Sequence, residues 1–99
     1  MNVQNFSKQL ADVVGINIVQ ETLKKLAVIE AAKCVLKMEK LRAELRLFEE
    51  RFNERSEDAW EKFKTGKSGD SAEMMDWMML FENYLALERQ HKKINNLKS

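Results

Sequence analysis

Hydrophobic residues recur at intervals of three and four along most of the chain, a spacing that places them on one face of an α-helix. The first such set comprises Val3, Phe6, Leu10, Val13 and Val14. It predicts a short N-terminal helix over residues 1–15, which Gly15 would end. Asn17 is then expected to cap the next helix, with Gln20 as its partner in a capping box. A single helix that runs through Gly15, at a cost of about 1 kcal/mol, remains the alternative.

The longest uninterrupted pattern predicts a helix over residues 18–53. Its apolar positions step by four, three, four, three and four, which is the heptad spacing of helices that pack side by side. These positions are Cys34, Met38, Leu41, Leu45, Phe48 and Phe52. A helix of about 35 residues at 1.5 Å per residue is a rod of about 50 Å. We therefore expect a coiled-coil-like seam along this helix.

One stretch of the long helix, residues 26–36 (LAVIEAAKCVL), is apolar nearly all round, with Glu30 and Lys33 as its polar members. A helix of this kind must be covered on more than one side. The short N-terminal helix, a second copy of the chain or a different protein can supply the cover. We expect a homo-oligomer, with a dimer favoured. The residues expected at the oligomer contact are Leu26, Val28, Ile29, Val35 and Leu36.

The pattern breaks around residues 56–70 and then resumes. Ser56 is expected to cap a short helix over residues 56–65, because serine is a favoured N-cap residue. The segment GKSGD, residues 66–70, is predicted to form a turn in which Gly66 takes the left-handed conformation. Asp70 is expected to cap the last helix, residues 71–96, with Glu73 as its reciprocal partner.

Together these elements predict an all-α fold in a single domain over residues 1–99. It is a long antiparallel helical hairpin, with a short N-terminal helix and a short helix at the turn. Trp60 and Phe63 precede the turn, and Trp77 and Phe81 follow it. A buried aromatic side chain removes about 150–250 Å² of surface from water, so these four residues can close the end of the hairpin. This packing role is favoured over ligand binding.

Composition narrows the possible functions. The formal net charge is +1, so no strong field favours nucleic acid or an anionic membrane. A single cysteine rules out an internal disulfide and suits a reducing compartment. The opening MNVQNFSKQL lacks a basic segment followed by an apolar run, so we expect no signal peptide and a cytoplasmic location. No apolar stretch approaches the roughly 20 residues that a membrane span needs.

Candidate catalytic residues are few, and we expect neither enzymatic activity nor a metal or cofactor. Cys34 falls on the helical seam, where a buried, inert thiol is expected. His91 is the only histidine and is expected on the surface, without a partner for metal binding. The best enzyme candidate is the set Glu49, Glu50 and Glu54. It is one residue too long for the Glu-Glu-x-x-Glu magnesium motif of helical nucleotide pyrophosphatases.

Two further alternatives find little support. Lys62, Lys64 and Lys67 surround the turn, but Glu61 and Asp70 dilute this basic patch, and lysines near a helix end complement its dipole. Nucleic-acid binding is therefore not expected. A secreted helical hairpin with a Trp-x-Gly turn is a minor alternative, because the corresponding sequence here is WEK.

The C-terminal half carries four short motifs in series. They are LFEERF in the long helix, AWEKF in the short helix, GKSGD at the turn and EMMDW in the last helix. In this order they resemble a family of small prokaryotic, mainly archaeal, helical-hairpin proteins that are regarded as antitoxins and are encoded beside toxin genes. The resemblance covers roughly residues 41–90. It departs at SAEMM, where family members often carry more aromatic residues.

The resemblance implies a non-enzymatic protein that neutralises a cognate toxin, of the ribonuclease type. Ribonucleases bind phosphates through basic side chains, so an acidic rim on the antitoxin can compete by charge complementarity. The candidate partner-binding residues are Glu49, Glu50, Asp70, Glu73 and Asp76. The same acids can instead serve only to cap helices, and both interpretations stay open. The alternative function is a generic helical scaffold or adaptor.

Overall fold

The computed structural model describes residues 15–98, which form three α-helices and no strand. Helix α1 spans Ile16–Phe52, α2 spans Ser56–Lys64 and α3 spans Ala72–Lys98. Helices α1 and α3 pack against each other as an antiparallel hairpin, and the short α2 packs against both. The predicted all-α hairpin is confirmed. The predicted N-terminal helix lies outside the described residues.

Helix α1 begins two residues before its predicted start. Its N-cap is Gly15, whose backbone has φ 97° and ψ 149°. The Gly15 carbonyl accepts the first hydrogen bond, from the Val19 N–H at 3.3 Å. The prediction that Asn17 caps this helix is wrong, because Asn17 already lies inside the first turn. A positive φ of this size is readily adopted only by glycine, and it fixes the point at which the chain enters the helix.

Helix α1 ends at Phe52 because Asn53 takes the left-handed conformation, with φ 51° and ψ 46°. Asparagine tolerates this region better than other residues with a side chain, and it often ends helices. The backbone N–H groups of Asn53 and Glu54 both point back to the Glu49 carbonyl. Only residues 53–55 then separate α1 from α2, so α2 turns sharply back toward the hairpin.

The loop between α2 and α3 agrees with one prediction and differs from another. Gly66 has φ 73°, which confirms the predicted left-handed conformation. The predicted Asp70 cap is wrong: the Ser71 hydroxyl accepts the Met74 N–H at 3.2 Å, so Ser71 is the N-cap of α3. Aspartate and serine are both favoured caps and they are adjacent here, so the sequence alone leaves the start of α3 ambiguous by one residue.

The hydrophobic core sits at the turn end of the hairpin. Its buried members are Leu45, Ala59, Trp77, Met78 and Phe81. Farther along the seam, the Cys34 thiol donates a hydrogen bond to the Leu87 carbonyl at 3.3 Å. Toward the start of α1 the buried positions are mostly small residues, Ala27 and Ala31 among them. Buried volume is therefore concentrated near the turn.

Candidate functional site: protein-binding surfaces

The four aromatic residues that flank the turn lie in one cluster. Trp77 and Phe81 are buried, and Trp60 and Phe63 are half-buried against them. The Trp60 ring stacks on Phe63 with centroids 6.0 Å apart and meets Phe81 edge-on at 5.8 Å. Such aromatic pairs stabilise by about 0.5–1.5 kcal/mol beyond the area they bury. These side chains therefore pack mainly against one another and close the hairpin end.

Helix α1 contributes two more rings to this cluster. Phe48 and Phe52 both stack on Trp77, with centroid separations of 6.0 Å and 5.3 Å. The sequence places these two residues on the heptad seam, but it does not reveal that both contact the same indole ring. Because they are four residues apart, they lie one above the other on a helix face, which suits two contacts with one large ring.

Ser56 joins all three helices at this end. It is fully buried, and its hydroxyl accepts a hydrogen bond from the Trp77 indole N–H at 3.0 Å. Its backbone N–H donates to a Glu49 carboxylate oxygen at 2.8 Å. The prediction that Ser56 caps α2 is wrong. The N-cap residue is Arg55, and its side chain makes no capping hydrogen bond. A carboxylate from α1 satisfies the first turn of α2 instead.

The environment of Glu49 favours its charged form. Burial alone would raise the pKa of this carboxyl, but hydrogen bonds from Ser56 and the positive charges of Arg42 and Arg46 outweigh it. The pKa of Glu49 therefore lies below its ordinary value. An Arg42 guanidinium nitrogen stands 3.9 Å from the carboxylate. Glu49, which the sequence places on an exposed partner-binding rim, is engaged in holding α2 against α1.

The other predicted rim acids are exposed but do not form one acidic patch. Glu73 makes an ion pair with Arg51 at 2.8 Å across the hairpin. Asp76 lines a shallow groove together with the same arginine. Glu50 lies on another side of α1, and Asp70 lies in the loop before α3. Arginines thus interleave with the acids, and an exposed ion pair of this kind contributes only about 0–1 kcal/mol.

A second surface runs along the outside of α1, opposite the packed seam. Its members are spaced by eleven, seven and eleven residues, which correspond to about three, two and three helical turns. We call this surface the outer stripe, and it consists of Ile18, Ile29, Leu36 and Leu47. Their exposed fractions are 58%, 50%, 66% and 67%. At 1.5 Å per residue, the stripe is about 44 Å long.

The residues predicted to make the oligomer contact are all exposed. Their exposed fractions range from 36% to 66%. Ile29 and Leu36 belong to the outer stripe. Val35 lines a groove with Tyr84 and His91 of α3, and Leu26 faces a separate groove at the open end of the hairpin. The predicted contact set does not include Ile18 and Leu47, although the recurrence at eleven and seven residues is visible in the sequence.

Cys34 and His91 are the two remaining residues with catalytic potential. Cys34 is buried in the hairpin interface. His91 is half-buried and lines a surface groove, and its Nδ1 lies 3.4 Å from the amide nitrogen of Asn95. Within residues 15–98, no three histidine, cysteine or acidic side chains are grouped so as to hold a metal ion.

Two of the three lysines around the turn are paired with acids. Lys62 lies 3.2 Å from Glu54, and Lys64 lies 3.0 Å from Glu61 and also over the Trp60 ring. These pairings reduce the positive field that a phosphate would meet. In the described part of the chain, no helix has the length and apolar character needed to cross a bilayer.

No model of a known protein family matches this chain, and no curated protein or solved structure shows significant similarity to it. The surfaces described above therefore have to support any functional proposal.

Proposed function

We propose that this protein is a non-enzymatic binding module that recognises another protein through the outer stripe of α1. Its proposed partner is a cognate toxin of the ribonuclease type, which it neutralises as an antitoxin. The stripe supplies the physical basis for protein binding. The motif resemblance in residues 41–90 supplies the toxin as the kind of partner.

The observation that supports the proposal is the exposure of Ile18, Ile29, Leu36 and Leu47 in line along one helix. A soluble monomer rarely leaves a long apolar surface open to water, and such surfaces commonly mark interaction sites. Full burial of one leucine or isoleucine side chain stabilises by about 1.5–3 kcal/mol. Four such residues in line offer a partner helix or groove separate apolar anchors along one side of α1.

The acids near the turn end of the stripe support a proposed orientation for the partner. Lys25 lies between the first two members of the stripe and Lys40 between the last two, whereas Glu50 follows the last member, Leu47, by about one helical turn. Leu47 also shares a shallow groove with Asp76 of α3. The basic phosphate-binding site of a ribonuclease is complementary to the acids at this end of the stripe. Of the five predicted rim acids, Glu50 and Asp76 are therefore those proposed to contact the toxin.

The test is co-expression with the product of the gene that neighbours its own, followed by pull-down and growth rescue. The variant Leu36→Glu/Leu47→Glu places two charges on the stripe and is expected to abolish pull-down and rescue. The matched control is Met79→Glu, which introduces a charge at an equally exposed position (61%) on the outer face of α3. This control is expected to bind and to rescue growth like the wild type.

Three results would overturn parts of the proposal. If the stripe variant rescues growth as well as the wild type, the outer stripe is not the binding surface. If the wild type binds no neighbouring gene product, the toxin is not its partner. If light scattering shows that the chain alone is a dimer, and that the stripe variant dissociates it, then a second copy occupies the stripe, as the sequence-based oligomer prediction has it.

A further inference from the structure

A shallow depression runs between α1 and α3 along the half of the hairpin nearer the turn. It consists of two grooves, of about 530 Å³ and 420 Å³, whose linings meet at Glu44. We call this surface the trough, and it extends from Lys37 to Arg51 on α1 and from Asp76 to Gln90 on α3. Both ranges correspond to about 21 Å of helix, or about four turns. No residue of α2 lines either groove.

The lining of the trough repeats every seven residues on both sides. Its floor consists of half-buried side chains, Leu41 and Phe48 on α1 and Leu80 and Leu87 on α3. The rim residues have the same spacing, and they are Lys37, Glu44, Arg51, Asp76, Asn83 and Gln90. Because seven residues rise about 10.5 Å along a helix, a third helix with its own heptad repeat keeps this register. An extended strand does not, because its side chains on one face repeat about every 6.8 Å.

Charge divides the trough into a basic and an acidic part. Lys37 and Lys40 line its middle, whereas Glu44 and Asp76 lie nearer the turn. None of these four side chains makes an ion pair within residues 15–98. Arg51, which lies beside the acids, is already held in an ion pair across the hairpin. A bound segment is therefore complementary if it carries acids beside the lysines and bases about one to two turns closer to the turn.

The trough adjoins the surface proposed above for toxin binding. Leu47 is a member of the outer stripe and also lines the trough with Asp76. One partner can therefore occupy both surfaces. Resting on that proposed function, we propose that the toxin docks an amphipathic helix along the trough while its neighbouring surface covers the stripe. Acidic residues of this helix face Lys37 and Lys40, and its basic residues face Glu44 and Asp76.

The first test reverses charge in the full-length protein and measures binding of the neighbouring gene product by titration calorimetry. Lys37→Glu/Lys40→Glu changes two exposed side chains and is expected to weaken binding about tenfold. The matched control, Lys92→Glu/Lys93→Glu, makes the same change in net charge at exposed positions of α3 beyond the trough. This control is expected to bind within about twofold of the wild type, and circular dichroism checks that both variants stay helical.

The second test asks whether the docked segment is a helix. A carbodiimide joins a lysine amine to a carboxylate that contacts it, and Lys37 and Lys40 are about one helical turn apart. In the wild-type complex we expect the two lysines to link to acids of the gene product that lie three or four residues apart in one segment. Links to acids two residues apart, or to acids in separate segments, would overturn the helical occupant.

The results separate the occupant of the trough from the function on which it rests. If Leu36→Glu/Leu47→Glu abolishes pull-down while Lys37→Glu/Lys40→Glu binds like the wild type, the toxin contacts the stripe and not the trough. That outcome overturns the docked helix and leaves the proposed function in place. If the wild type binds no neighbouring gene product, the toxin and its docked helix are both excluded.

Discussion

The two ends of the hairpin differ in what holds them together. At the turn end, Leu45, Trp77 and Met78 are buried to within 1% of full coverage, and a buried hydroxyl satisfies the indole N–H. At the open end, the buried α1 residues are Val19, Ala27 and Ala31, which are smaller than those at the turn end, while Leu26 and Leu97 are largely exposed. One pair of helices thus carries both a closed core and an open apolar surface.

This difference separates stability from recognition. Large buried side chains and a satisfied polar contact make the turn end the part that decides whether the hairpin folds. Exposed apolar residues contribute little to folding and remain free to contact other segments. Substitutions are therefore expected to divide by position, and four predictions test this division from the largest effect to the smallest.

The largest expected difference in stability between the two ends is at Trp77. Trp77→Ala removes a fully buried indole and is expected to lower the free energy of unfolding by about 3–5 kcal/mol. Leu47→Ala, at a position that is 67% exposed, is the control and is expected to stay within about 0.5 kcal/mol of wild type. Urea denaturation followed by circular dichroism measures both. Equal effects of the two substitutions would mean that the aromatic cluster does not dominate stability.

Ser56 tests whether the buried polar contact matters beyond the rings. Ser56→Ala leaves the Trp77 indole N–H buried without an acceptor, which is expected to cost about 1–3 kcal/mol. In the background of Trp77→Phe, which has no N–H to satisfy, the same substitution should cost less. A double-mutant cycle in denaturant gives the coupling energy. A coupling energy indistinguishable from zero would show that the hydrogen bond adds no net stability.

The two loop glycines offer a matched pair at the turn. Nothing lies within 4 Å of a Cβ added at either position, so a difference between them arises from the backbone. Gly66→Ala is expected to destabilise by about 1–2 kcal/mol, because φ at Gly66 is 73°. Gly69→Ala is expected to cause no loss. Thermal melting compares the variants, and similar losses at both glycines would contradict a specific role of the left-handed stop.

Glu49 gives a pH-dependent test of how α2 is held. Because its folded pKa lies below the ordinary 4.5, its contribution is complete above that pH and is lost as pH falls through the folded pKa. Glu49→Gln is expected to cost about 1 kcal/mol at neutral pH, the size of a lost helix cap. The difference between the variant and wild type should shrink on acidification. Glu50→Gln is the control, and the same pH dependence there would contradict this assignment.

The sequence predicts the helices well because their apolar spacing is local and regular. Helix α1 starts at Ile16 against a predicted residue 18, and α2 ends at Lys64 against a predicted residue 65. The positive φ of Gly66 was also predictable, because a glycine that follows helical lysines is a familiar stop. These features depend only on neighbouring residues.

Features that depend on distant residues were not predictable in the same way. The sequence suggests that Ser56 is a helix cap, but in the structure its hydroxyl accepts a hydrogen bond from Trp77, 21 residues later. The sequence suggests that Glu49 is a surface acid, but in the structure its carboxylate accepts a hydrogen bond from the Ser56 N–H in the first turn of α2. Each side chain offers several possible hydrogen bonds, and only tertiary packing selects one. The aromatic residues were easier, because large rings near a turn have few alternatives to mutual contact.

The placement of both tryptophans at one end has an optical consequence. Trp60 and Trp77 belong to the same cluster, and neither lies within the groove at the open end. Intrinsic fluorescence of the chain therefore reports the solvent exposure of the turn end alone, whereas far-ultraviolet circular dichroism sums over all helices. If the open end loosens first on heating, the dichroism signal falls while tryptophan emission keeps its wavelength, and the two ends can be followed separately without any added label.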